Sequence, residues 1–113
     1  MKYSYDLHIH SCLSPCGDMD MTPNNIVNMA SLLGLDLIAV SDHNTALNLP
    51  AVFSVAKQVG LTVIPAIEAN TAEEVHVLCL FPELEDALSC SDEFYQHLPP
   101  VFNRPDIFGA QVI

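Results

Sequence analysis

Basic side chains are nearly missing from this chain: three Lys and Arg residues stand against fourteen Asp and Glu, for a net charge of −11. A surface that tracks nucleic-acid phosphates needs basic groups, so this balance excludes a strong nucleic-acid surface. An acidic chain can still handle phosphate when bound cations supply the positive charge. Long apolar runs are missing too, none approaching the ~18 residues of a membrane span. The alternating start, Met1-Lys2-Tyr3-Ser4-Tyr5-Asp6, is not a secretory signal. The expectation is a cytoplasmic protein with no membrane partner. No Gly-x-Gly-x-x-Gly run and no P-loop is present, which removes the common cofactor fingerprints. Internal repeats, low-complexity tracts and linkers are likewise absent. What remains is a 113-residue chain, half hydrophobic, of a size that buries roughly two-thirds of its unfolded surface in one domain.

Cysteines are few, and without a secretory signal Cys12, Cys16, Cys79 and Cys90 are expected to be reduced thiols. Cys12 and Cys16 beside His8 and His10 admit a structural zinc or redox reading. No second Cys/His pair at ligand spacing follows, so that reading is the weaker one. Cys79, inside an apolar run, is expected in the core.

The chain reads in order as β-α-β-α-β-β-α. Tyr5 to His10 alternates apolar and polar residues, which places Tyr5, Leu7 and Ile9 on one strand face and Asp6, His8 and His10 on the other. A loop follows, then a helix from Thr22 as N-cap and Pro23 in the first turn to Gly34, with Ile26, Val27, Ala30 and Leu33 as its apolar stripe. Asp36 to Ser41 is a strand covered on both faces. Leu49 to Val59, closed by Gly60, is a second helix that buries Val52, Phe53, Val55, Ala56 and Val59. Leu61 to Ile67 is a third strand with Glu68 at its end, and Val75 to Phe81 a fourth. Leu84, Ala87 and Leu88 start a helix that restarts near Asp92 and runs to His97, where Leu98-Pro99-Pro100 stops it. This order predicts a mostly parallel α/β sheet with right-handed crossovers. Its last strand would expose an unpaired edge, through which self-association is possible.

Function in parallel α/β architectures collects at the C-terminal ends of the strands. His8 and His10, then Asp42 and His43, then Glu68 fall at those ends, with Asp18 in the first loop and His76 in the fourth strand. So many desolvated imidazoles and carboxylates need a compensating charge. Mixed His and carboxylate ligands suit Zn, Mn or Fe. Six such ligands are too many for one ion, and a carboxylate such as Glu68 can bridge two. Clustered ions activate a hydroxide and clamp the oxygens of a phosphoester, so hydrolysis fits better than redox chemistry.

The motifs Asp6-Leu7-His8-Ile9-His10-Ser11, Asp18 before Thr22-Pro23, Gly34 to Asn44 with its Ser41-Asp42-His43-Asn44, Ile67-Glu68 and Val75-His76-Val77-Leu78 together resemble the PHP (polymerase and histidinol phosphatase) domain. The resemblance covers about residues 5–81. It implies the N-terminal portion of a distorted (β/α)7 TIM-like barrel with up to three divalent metal ions. It also implies phosphoesterase activity on a phosphorylated small molecule, a nucleotide or a nucleic-acid end. By position, His8 and His10 would hold a first ion, which Glu68 would bridge to a second near His76, and Asp18 and His43 would hold a third. Asp20 is the rival of Asp18. Asp6, Asp42 and Asn44 would orient the ligands.

Family members continue with a further His ligand and a late Asp-x-His motif, neither of which occurs here. The expectation is a single PHP-like domain over 1–113, incomplete at its C-terminus, a fragment rather than a half-domain completed by pairing. The alternative to a phosphoesterase is a metal-stabilised, non-catalytic interaction or regulatory module. His97 and the lone Arg104 are expected at the surface.

Overall fold

The computed structural model describes residues 1–99 and 104–113, so Pro100, one of the residues expected to stop the last helix, lies outside the described residues. Among the described residues, five strands and four helices follow in the order β1 (Tyr5–Ile9), α1 (Pro23–Leu32), β2 (Leu37–Val40), α2 (Leu49–Val59), β3 (Thr62–Val63), β4 (Ala66–Asn70), β5 (His76–Leu80), α3 (Leu84–His97) and α4 (Pro105–Phe108). The fold is α/β with mostly parallel strands: β1, β2 and β3 lie side by side in parallel, and β4 pairs antiparallel with β5.

The helix starts follow their local chemistry. Thr22 Oγ1 accepts the Asn25 N–H at the head of α1, and Pro23 occupies the first turn, where its missing N–H costs nothing. Both α1 and α2 are closed by glycines in the left-handed region, Gly34 at φ 74° and Gly60 at φ 73°. Asn48 stands at the N-cap of α2 without a side-chain cap bond, its side-chain amide donating instead to Ser11 Oγ and to the Val112 carbonyl.

Ile38, Ala39 and Val40 of β2 are fully buried, as expected of a strand covered on both faces. Ile38, Val40 and Ile67 pack with Ile26, Val27 and Ala30 of α1 and with Leu49, Val52 and Ala56 of α2 to make the core. Leu33 and Val59, read as part of the buried helix stripes, are instead exposed at the last turns of α1 and α2.

The structure departs from the expected strand pattern at Pro65. A proline has no N–H for a ladder, and the run read as one strand over 61–67 is divided there into β3 and β4. Glu68 therefore sits in the middle of β4 rather than after a strand. The chain remains beside β2 across the break, since the Ile64 N–H reaches the Ile38 carbonyl at 2.9 Å. Further along, His43 and Glu68 form a parallel bridge, with Glu68 N–H to Asp42 O at 3.0 Å and Asn44 N–H to Glu68 O at 2.9 Å.

Three other expectations are corrected. The fourth strand is the antiparallel partner of β4, with Asn70 opposite His76 and Glu68 opposite Leu78. Cys79, placed in the core from its apolar neighbours, is half-buried because most of β5 faces outward. Finally, the last helix does not restart: α3 is continuous for 14 residues. Its middle is held by tertiary contact, with Ala87 and Ser91 buried and Ser91 Oγ accepting the Ala46 N–H at 2.9 Å. Among the described residues, no helix is long and apolar enough to cross a membrane.

Candidate metal centre

His8 of β1 and His10, just past its end, follow an irregularity in that strand. Tyr5 and Asp6 pair with Leu37 and Ile38, but Ile9 pairs with Val40, so β1 carries one extra residue between Asp6 and Ile9. Such bulges redirect side chains. Asp6, at the start of this bulge, accepts the His8 N–H on its Oδ1 at 3.1 Å and is itself exposed.

The centre of the site is the Glu68 carboxylate, only 3 % exposed. His8 Nε2 lies 2.5 Å and His10 Nε2 3.1 Å from its Oε2. His76 Nδ1 lies 3.0 Å and His43 Nδ1 4.0 Å from its Oε1. The two oxygens thus face different pairs of imidazoles. The rings form a row, with centroids 5.0 Å apart for His8 and His10, 4.6 Å for the stacked His10 and His43, and 5.7 Å for His43 and His76. His76 comes from the beginning of β5, and only the antiparallel turn after β4 brings a strand's first residue to this end of the sheet.

Burial pushes the Glu68 carboxyl up, but the His8 hydrogen bond and the neighbouring His43, His8 and His10 outweigh it and hold the group below its ordinary value. His10 is held below its ordinary value by burial and by His43, against the pull of Glu68, with His8 adding to the lowering and Asp42 opposing it. The result is an ionised, buried carboxylate beside an imidazole kept neutral, the protonation states that metal ligands require. The donor set fits a divalent ion: His8, His10 and Glu68 each offer one ligand atom, mutually within 4.8 Å.

A buried polar network holds the loop after β1. Asp42, 2 % exposed, accepts the Ser11 N–H at 2.7 Å and the Ser14 hydroxyl at 2.7 Å on Oδ1, and the Ser11 hydroxyl at 2.6 Å on Oδ2. Ser14 Oγ in turn accepts the His43 N–H at 3.2 Å and lies 3.3 Å from His10 Nδ1. By hydrogen bonding, Asp42 therefore reaches the histidines through Ser14. Asn44, at φ 56°, accepts the Asn70 N–H at 2.8 Å, and Asn70 Oδ1 stands 3.0 Å from His43 Nδ1.

Of the residues singled out in the sequence, His8, His10, His43, Glu68 and His76 come together. Asp18 does not: it is exposed, and its Oδ1 accepts the Asp20 N–H at 2.8 Å. Asp20 is exposed as well. Besides Ser14, the side chain that reaches the histidines from this loop is Cys16, whose Sγ lies 3.3 Å from His43 Nε2. Cys12 is buried and points away, toward the Val112 carbonyl. His97 is exposed, with Nδ1 2.9 Å from the Glu93 carbonyl, and Arg104 pairs with Asp106 on the surface.

Sequence reasoning missed Asn70 and Ser14 as orienting groups. Asn70 carried a usable signal, since a residue two positions after Glu68 in a strand shares its face. Ser14 carried none, because only the folded loop brings it to Asp42.

The family model of the PHP domain matches residues 6–98. Among curated proteins, the chain is 32 % identical over 83 residues to a 5'-3' exoribonuclease of Haemophilus influenzae, covering 71 % of this chain and 29 % of that protein. It is 30 % identical over 99 residues to a 5'-3' exoribonuclease of Salmonella typhimurium (79 % and 33 % covered). It is 37 % identical over 71 residues to a PolC-type DNA polymerase III of Bacillus cereus (61 % and 5 % covered). Among solved structures, a Bifidobacterium adolescentis protein assigned as a metal-dependent phosphoesterase shares the fold with a TM-score of 0.66 at 24 % identity, covering 85 % of this chain and 33 % of that one. The chain thus spans about a third or less of the length of each of these relatives.

Proposed function

The chain belongs to the PHP-domain family, a family of metal-dependent hydrolases, and from that premise we propose that it carries the ligand-rich part of a phosphoesterase site. The observation that supports this reading is the buried Glu68 carboxylate with an imidazole pair at each oxygen. In this reading His8 and His10 would hold one ion, Glu68 would be shared with a second beside His76, and His43 would serve a third. Zn, Mn and Fe all suit such a donor set. When bound, the ions activate water and neutralise the phosphate.

The protein's own residues hold and orient. Asp42 fixes Ser11 and Ser14, Ser14 sets His10 and the His43 backbone, and Asn70 sets His43 through Nδ1, so that its Nε2 is left to face Cys16. The histidines offer neutral ring nitrogens and Glu68 a negative charge to receive cations. With a net charge of −11, cations are what make a phosphate welcome. The substrate class is a phosphorylated small molecule or nucleotide, and the working compartment is the cytoplasm, where the free thiols of this chain remain reduced.

The test is hydrolysis of p-nitrophenyl phosphate by chelator-stripped protein before and after addition of Mn²⁺ or Zn²⁺, with His8→Ala alongside. Turnover that needs the ion and is lost in His8→Ala is expected. Metal-loaded protein that hydrolyses nothing would instead mark a non-catalytic module.

A further inference from the structure

We propose that Cys16 supplies a thiolate ligand, so that Cys16 and His43 hold a thiophilic ion next to the one that His10 shares with His8 and Glu68. The proposal rests on the metal-dependent reading above and changes its third position, where the loop carboxylate of Asp18 was expected. One ligand atom from each of His10, Cys16 and His43 lies within 4.8 Å of the others. Cys16 Sγ faces His43 Nε2 at 3.3 Å, while His43 Nδ1 is engaged on its far side by Asn70. That division leaves the Cys16-facing nitrogen as the free donor of the ring.

The loop is shaped to present this sulfur. Ser14 N–H closes on the Ser11 carbonyl at 3.1 Å and Gly17 N–H on the Ser14 carbonyl at 2.8 Å, two successive turns with Cys16 at the end of the second. Gly17 admits no side chain, because a Cβ there would collide with the Ser11 carbonyl oxygen. Buried Asp42 anchors both serines of these turns. Asp18, one residue further on, is directed away and satisfied by the Asp20 amide.

A thiolate with an imidazole favours Zn²⁺ or Co²⁺ over Mn²⁺ or Mg²⁺, which prefer oxygen. On binding, the sulfur–metal bond forms as the thiol proton leaves to solvent. No electron is transferred.

The test is titration of metal-free, reduced protein with Co²⁺, read in the near-ultraviolet for thiolate-to-cobalt charge transfer and in the visible for cobalt bound by any protein ligand. The expected result is a charge-transfer band in the wild type and in Cys12→Ser that is lost in Cys16→Ser, which keeps visible absorption from ions at Glu68. Cobalt binding with no charge-transfer band in the wild type, or a band that survives Cys16→Ser, overturns the thiolate ligand and leaves the phosphoesterase reading standing. Absence of any cobalt binding overturns both. A second measurement needs no variant: Zn²⁺ is expected to protect Cys16 from iodoacetamide, mapped by peptide mass. Unchanged alkylation of Cys16 in zinc-loaded protein overturns the proposal.

Discussion

His8 Nε2 and Glu68 Oε2 stand 2.5 Å apart across sixty residues of sequence. The contact joins β1 to β4 over the end of β2, and the other carboxylate oxygen continues to His76. Glu68 is therefore the joint of the whole group rather than one ligand among several.

Replacing Glu68 by Gln keeps the shape and removes the charge. The expected outcome is loss of bound metal after dialysis, measured by elemental analysis, together with loss of metal-dependent hydrolysis. In metal-free protein the same change should lower the His10 pKa further, since Glu68 is one of the groups that raise it; an NMR titration of the imidazole reads this directly. An unchanged metal content would remove Glu68 from the centre.

Asp42→Ala leaves the Ser11 amide and the Ser11 and Ser14 hydroxyls without their acceptor in a buried setting. Each unsatisfied buried donor costs about 1–3 kcal/mol, so urea unfolding of metal-free protein should show a loss of at least that size. A variant as stable as the wild type would mean that the network contributes nothing net.

Metal-free protein should lose stability as the pH falls below about 6.5. His10 is held below its ordinary value of 6.5, so between its folded and unfolded values the unfolded chain binds more protons and stability rises with pH. Glu68 is held below its ordinary 4.5, and its contribution is present above 4.5 and lost as pH falls through the folded value. Both groups act in the same direction. Urea midpoints in chelator at pH 8, 6 and 5 should fall in that order, and a midpoint that rises toward pH 5 contradicts it.

Gly17→Ala should open the loop after β1, because its Cβ meets the Ser11 carbonyl. Relief of that collision moves Cys16 relative to His43. The cobalt charge-transfer band should weaken in this variant while visible absorption from the Glu68 group persists. An unaltered spectrum would show that the turn does not set the sulfur.

Much of the site was legible because its signals are local. His8 and His10 declare a shared strand face by their spacing, and Asp42-His43 follows at once on the apolar run of β2. The helices were legible for the same reason, through Thr22, Pro23, Gly34 and Gly60. What escaped is non-local. Spacing to Thr22-Pro23 favoured Asp18, but the turns at Ser14 and Gly17 present Cys16, and those turns are held by Asp42 from the segment that follows β2.

The sequence by itself determined the α/β class, the limits of α1 and α2 and the candidacy of the histidines and the glutamate, since periodicity and capping are written within a few residues of one another. Only the tertiary structure decided that Pro65 divides a strand, that β5 returns antiparallel and so delivers His76 at its first residue, and that a sulfur rather than the Asp18 carboxylate faces His43. Those outcomes depend on which backbone groups find partners across the sheet, and a hydrogen bond between residues far apart in the chain leaves no trace in local pattern.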